Sequence, residues 1–162
     1  MEREQYIQIF YEYRRRLCNF LFYKCGDMGH AEDLVQEVFV ILWEKRGTIK
    51  SENLKSYLFT IANNLYIDHY RHKNINLNLK YDTSVNTSES PEYLLEQKEF
   101  DEKLKTAIAS LSEKERTVFL MNRIDDLTFK EIAESLGISV KTIEKRMHNA
   151  VEKLFKKINH KL

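Results

Sequence analysis

The chain has four glycines and one proline in 162 residues. These residues punctuate turns and break regular elements, so their scarcity argues against a many-stranded fold and for long helices joined by few corners. Two cysteines, Cys18 and Cys25, are too few for a disulfide framework. They fit reduced thiols seven positions apart on one helix, and with His30 nearby they match no zinc-ligand spacing. No apolar run approaches the roughly 18 residues that a membrane span requires. The opening MEREQYIQ has neither the charged-then-apolar pattern nor the cleavage site of a signal peptide. A cytoplasmic protein with no membrane insertion is therefore expected.

A strong overall charge is also missing, but the formal +1 conceals an uneven distribution. Residues 1–73 carry 11 Lys/Arg and 10 Asp/Glu, residues 74–100 carry two and five, and residues 101–162 carry 13 and 10. Within 139–162 the balance is seven to two, a basic end suited to a phosphate backbone.

With 43% hydrophobic residues the chain can bury a core, and the apolar positions fall at helical spacing. Three helices are predicted in the first block. The first covers about 4–25, with Ile7, Phe10, Leu17 and Leu21 on one face. After a break at 26–29, a second covers about 30–45, with Ala31, Leu34, Val35, Val38 and Leu42 inward. The third covers about 53–72, with Leu54, Leu58, Ile61 and Leu65 inward. From Lys73 to Glu89 the periodicity lapses into Asn, Ser, Thr and Asp, which is linker composition; as a flexible coil it spans roughly 20–25 Å. Ser90-Pro91 is a favourable helix start. The expected organisation is all-α: a three-to-four-helix bundle over 1–73, a flexible linker over 74–90 and a second small helical domain over 91–162.

The second block carries two capping boxes, Ser112 to Glu115 and Thr128 to Glu131. Gly137 suits the end of the helix begun at Thr128, and Ser139 can cap the next. That helix has an apolar stripe through Val140, Ile143, Met147, Ala150 or Val151, Leu154 and Ile158. Small Ala133 lets two helices cross closely, Gly137 makes the corner, and Ile132, Leu136, Ile138 and Ile143 close a small core. This is a helix-turn-helix. With Ile143 inward, Lys141, Thr142, Lys145, Arg146 and Asn149 turn outward as donors for base edges and phosphates. Ser139, at the cap, completes this DNA-facing set.

In the first block, Asp33, Gln36, Glu37 and Glu44 form an acidic, amide-bearing ridge opposite the core face of the second helix. On the third helix Asn63, Asn64, Tyr66, Tyr70 and Arg71 lie on or beside the exposed side, and aromatics interleaved with amides and a basic group suit unpaired nucleic acid. Tyr66 and Tyr70 are equally compatible with a core.

Residues 111–154, LSEKERTVFLMNRIDDLTFKEIAESLGISVKTIEKRMHNAVEKL, resemble both the DNA-binding domain of LuxR-type response regulators and region 4 of bacterial RNA polymerase sigma factors. Residues 30–73, HAEDLVQEVFVILWEKRGTIKSENLKSYLFTIANNLYIDHYRHK, resemble region 2 of the sigma-70 family, and closely its extracytoplasmic-function (ECF) subgroup. With both regions present in order and no room for regions 1.1 or 3, the ECF resemblance is preferred. It implies that Asp33, Gln36 and Glu37 dock on core RNA polymerase, and that the third helix handles the −10 element of promoter DNA. It further implies that the helix-turn-helix reads −35, and that an anti-sigma factor is a partner. Asn63 stands where a basic residue often precedes the shared Asn64. A ligand- or phosphorylation-controlled regulator would need a receiver or ligand pocket, yet no βα alternation or Gly-rich loop is present. A recombinase or nuclease would need a metal or nucleophile constellation, and Asp27, Glu32, Asp33 and Glu37 mostly share one surface ridge. No catalytic residue, metal or cofactor is expected.

Overall fold

The computed structural model describes residues 1–73 and 102–159, without the side chains of residues 51, 71–73 and 159. The linker expected over 74–90 and the helix start at Pro91 lie outside the described residues. Helices α1 (Arg3–Cys25), α2 (Met28–Glu44) and α3 (Leu54–Lys73) form the first block, with a short 3-10 turn at Ser51–Asn53 before α3. The second block has α4, helical over 102–109, then α5 (Glu113–Arg123), α6 (Phe129–Leu136) and α7 (Val140–Asn159). Among the described residues there is no strand.

Local chemistry sets the corners. Gly26 adopts the left-handed conformation, φ 76°, and its N–H reaches the Phe22 carbonyl, ending α1. Asp27 follows at once as the cap of α2, its carboxylate accepting from the N–H groups of Gly29 (2.9 Å) and His30 (3.3 Å). That cap starts α2 at Met28, two residues earlier than its apolar periodicity predicts. In the second block both predicted capping boxes are closed in each direction. Gly137 sits at φ 69° with its N–H on the Ala133 carbonyl, and Ser139 Oγ accepts from the Thr142 N–H.

The first core joins Leu17, Phe20 and Leu21 of α1 to Ala31, Leu34, Val38 and Leu42 of α2 and to Leu58, Phe59 and Ala62 of α3, all fully buried. Each large side chain so buried contributes about 1.5–3 kcal/mol. Phe20 and Phe59 meet edge-on with centroids 5.4 Å apart. Two expectations are corrected. Ile7 is 42% exposed, because Tyr6 turns inward in its place beside the expected Phe10. The Tyr6 hydroxyl donates to the Phe39 carbonyl at 2.9 Å, and the Phe10 ring packs on that of Phe39. On α3 the buried face is Leu58, Phe59, Ala62, Asn63 and Tyr66, with Leu54, Ile61 and Leu65 only half-buried. The helix is rolled because it has neighbours on two sides, α1 and α2 on one and α6 on the other.

The second core centres on Val118, Met121, Leu127, Ile132, Ala133, Ile143, Met147, Ala150 and Leu154. Beyond Leu154 the predicted stripe on α7 emerges into solvent: Ile158 is exposed, as is Val140 at the start. Glu115, buried on α5, accepts from Lys153 of α7 at 2.7 Å. Burial works against its charge, but Lys153 and Ser112 outweigh it and hold the carboxyl below its ordinary range. The two blocks pack on each other, α1 against α5 and α3 against α6.

Candidate nucleic-acid interface

The long helix α7 separates its two duties by direction. Ile143, Met147, Ala150 and Leu154 are buried on α5 and α6, while Ser139, Lys141 and Lys145 are exposed and Thr142, Arg146 and Asn149 half-exposed. Ser139 and Thr142 hydroxyls bond each other at 2.8 Å, which fixes the first turn. Among the described residues, Lys141, Lys145 and Arg146 enter no ion pair. Three cations at the N-terminal half of a rigidly backed helix, with a hydroxyl pair at its tip, form a surface for a negatively charged groove.

On α2, Asp33, Gln36 and Glu37 are all exposed, as the periodicity predicts. Glu37 is not wholly solvated: its carboxylate lies 3.4 Å from His69 Nε2 of α3, and the His69 ring meets that of His30.

The five residues assigned to single-stranded DNA are not brought together on one open face. Asn64 is exposed and Tyr70 half-buried, while the Arg71 side chain falls outside the described residues. Asn63 and Tyr66, expected on or beside the exposed side, are buried at 4% and 2% exposure. The physical reason is Lys24. Its ammonium, also buried, donates to Asn63 Oδ1 and to Thr117 Oγ1 (2.8 Å), and pairs with Glu113 Oε1 at 2.8 Å. It also lies over the Tyr66 ring, 4.6 Å from the centroid. The Tyr66 hydroxyl donates to the Lys24 carbonyl at 3.1 Å, satisfying an acceptor that the end of α1 leaves free. Arg116 reaches the same carbonyl at 3.5 Å and ties down the end of α4 through the carbonyls of Ile108, Ala109 and Leu111. Burial pulls the Lys24 ammonium down to about 8, although Glu113 opposes the shift.

A second buried ionisable group stands in the α5–α6 corner. Asp125 is fully buried and neither carboxyl oxygen has a hydrogen-bond partner. Burial pushes it up to about 8, against the pull of Arg16 from α1 and Lys55 from α3. Its neighbour Asp126 takes φ 54° and meets Arg16 at 3.8 Å across the blocks. Sequence reasoning passed over Lys24, Glu113, Arg116, Thr117 and Asp125. Lys24 did leave a signal: it extends the stripe Leu17, Phe20, Leu21 by a turn, a cation where a core residue belongs.

Two family models match the chain, Sigma-70 region 2 over residues 9–75 and Sigma-70, region 4 over residues 101–154. The ferric citrate uptake sigma factor FecI of Escherichia coli is 32% identical over 127 residues, covering 75% of this chain and 72% of FecI. The chain belongs to the sigma-70 family of RNA polymerase sigma factors, in its ECF group. The ECF RNA polymerase sigma factor SigW of Bacillus subtilis is 28% identical over 158 residues, covering 90% of this chain and 84% of that one. In fold, this sigma factor is similar to RpoE of Bartonella quintana, crystallised with the anti-sigma factor NepR. There the TM-score is 0.76 at 20% identity, covering 96% of this chain and 98% of RpoE. As a sigma factor the protein directs promoter-specific transcription initiation by RNA polymerase.

Proposed function

We propose that the two blocks divide promoter recognition between them. Ser139, Lys141, Thr142, Lys145, Arg146 and Asn149 on α7 enter the major groove of the −35 element. Asn64, Tyr70 and Arg71 on α3, with Asn63 and Tyr66 once uncovered, receive the melted −10 strand, where extruding a base costs a few kcal/mol that stacking and edge contacts offset. Asp33, Gln36 and Glu37 on α2 seat core RNA polymerase. The organisation is two domains, 1–73 and 91–162, with 74–90 as their linker. The protein works in the cytoplasm without a cofactor and catalyses nothing itself, since bond formation belongs to the polymerase. An anti-sigma factor is its partner at rest, a reading supported by the crystallised pair of RpoE and NepR.

The observation that carries this reading is α7, with a buried apolar face and cations beside it on a surface no other described helix covers. Run-off transcription tests it. Core polymerase plus this protein is expected to start at a discrete promoter that core polymerase alone ignores. Identical transcripts with and without the protein, or Mg-dependent cleavage of DNA by the protein alone, would defeat the reading.

A further inference from the structure

One titratable side chain on α7 lies outside the DNA-facing set. His148 is 79% exposed, and it stands seven residues beyond Lys141 and three beyond Lys145. Residues at those spacings share a side of a helix, so the imidazole continues the row that the two lysines begin. Ile143, Met147 and Ala150, buried on α5 and α6, face the other way. Thr142, Arg146 and Asn149 lie around the helix on the far side of Lys145 from His148. His148 is thus at the edge of the set, where the wall of a DNA groove is in reach rather than its floor.

The charges around it come from α7 itself. Glu152 Oε2 lies 3.8 Å from His148 Nε2, while the other oxygen of that carboxylate meets Lys156 at 3.3 Å. Glu144, four residues earlier, is exposed as well. Among the described residues no ion pair joins His148 to α5 or α6. Exposed pairs are weak in water, so Glu152, shared with Lys156, leaves a protonated imidazole available to a phosphate. From Val140 to Glu152 three cations, Lys141, Lys145 and Arg146, stand against two carboxylates, Glu144 and Glu152. A proton on His148 therefore doubles the net positive charge of this stretch. Histidine is the side chain that gains such a proton within the ordinary range of pH, and the protonated ring donates from both nitrogens.

We propose that His148 is a further DNA contact of α7: its protonated imidazole donates to a backbone phosphate at the edge of the groove, and its neutral form adds no charge there. The contact rests on the reading of α7 as the −35 helix and adds to it a bond without sequence preference. Each phosphate neutralised releases counter-ions, and log K then falls with log salt by about 0.9 more per contact. At about 0.15 M salt one such contact is worth about fivefold in affinity. By linkage, DNA binding in turn draws a proton onto His148.

The test uses the full chain and two labelled duplexes of equal length and composition. One carries the −35 element of a promoter found by the run-off assay, and the other carries that element scrambled. Anisotropy titrations over a salt series give the slope of log K against log salt at about pH 5.5 and about pH 8. On both duplexes the wild type should show a slope steeper by about 0.9 in acid, and about fivefold tighter binding at about 0.15 M salt. His148→Gln should show the shallow slope at both pH values, and His148→Lys the steep one at both. Circular dichroism should give wild-type helix content for each, since the position is exposed. Both variants keep the other four histidines, so these cannot produce the difference. Wild-type slopes that agree at the two pH values, or a pH-dependent slope that survives in His148→Gln, would overturn the contact. A preference for the −35 duplex that Arg146→Ala removes, beside slopes indifferent to His148, would overturn the contact and keep the −35 reading. Slopes that follow His148, beside equal affinity for the two duplexes, would uphold the phosphate contact and count against the −35 reading alone.

Discussion

Arg146 and Asn64 occupy opposite ends of the molecule's work. Arg146 lies on α7 about two turns beyond the Ser139 cap, half-exposed beside exposed Lys145. Arg offers guanine two parallel donors, so Arg146→Ala should weaken binding to duplex −35 DNA by roughly 1–3 kcal/mol and relax preference at one base position. Mobility shifts on a set of singly altered duplexes measure both effects. Asn64 is exposed on α3, beside the buried Asn63. Asn64→Ala should leave the duplex shift unchanged and slow promoter opening, read by permanganate reactivity of the −10 thymines. A loss of duplex affinity with normal opening would show the assignment to be reversed. That two adjacent asparagines differ so sharply in burial follows from helical geometry: a step of one residue turns the side chain by about a quarter of the circumference, from the seam into solvent.

Among the elements, α2 and the α6–α7 corner carry the clearest expectations. Asp33→Lys on the exposed ridge of α2 should reduce affinity for core polymerase in a titration, while changing stability by no more than about 0.5 kcal/mol. Asp33 is the cleaner position than Glu37, whose carboxylate also meets His69. At the corner, Gly137 holds φ 69° with nothing within 4 Å of where a Cβ would stand. The cost of Gly137→Ala is therefore one of backbone conformation alone, roughly 1–2 kcal/mol in a urea melt. These elements were legible in the sequence because their determinants are local: capping boxes, a positive-φ glycine and a helical stripe each depend on residues within a turn or two. The face of α3 was not legible. Its periodicity through Leu54, Leu58, Ile61 and Leu65 describes a helix with one neighbour, whereas Phe59 packs on Phe20 of α1, and Asn63 and Tyr66 turn to Lys24, whose remaining partners stand on α5, remote in sequence. The polar seam was invisible for a related reason, since Glu113 and Lys24 read as ordinary surface charges until α1 and α5 are placed together.

For the whole molecule, pH should act on stability with a definite sign. Burial raises Asp125 from 3.8 to about 8, so the folded chain holds a proton there that the unfolded chain releases near its ordinary value. The fold is thus undisturbed by this group below about pH 4 and loses stability as pH rises toward about 8. Lys24 works oppositely: burial lowers it from 10.5 to about 8, so its cost is complete below about 8 and fades only above it. The fold should be least stable near pH 8, and a urea midpoint that falls from about pH 5 to about pH 8 in the wild type should stay nearly flat in Asp125→Asn. The buried apolar side chains of the two blocks belong to one continuous cluster, with the polar contacts of Lys24 and Arg116 set into it. The first block leaves the ribosome before α5 and α6 exist, so part of its hydrocarbon waits in water until they arrive. The first block made alone should therefore be less soluble than the whole chain.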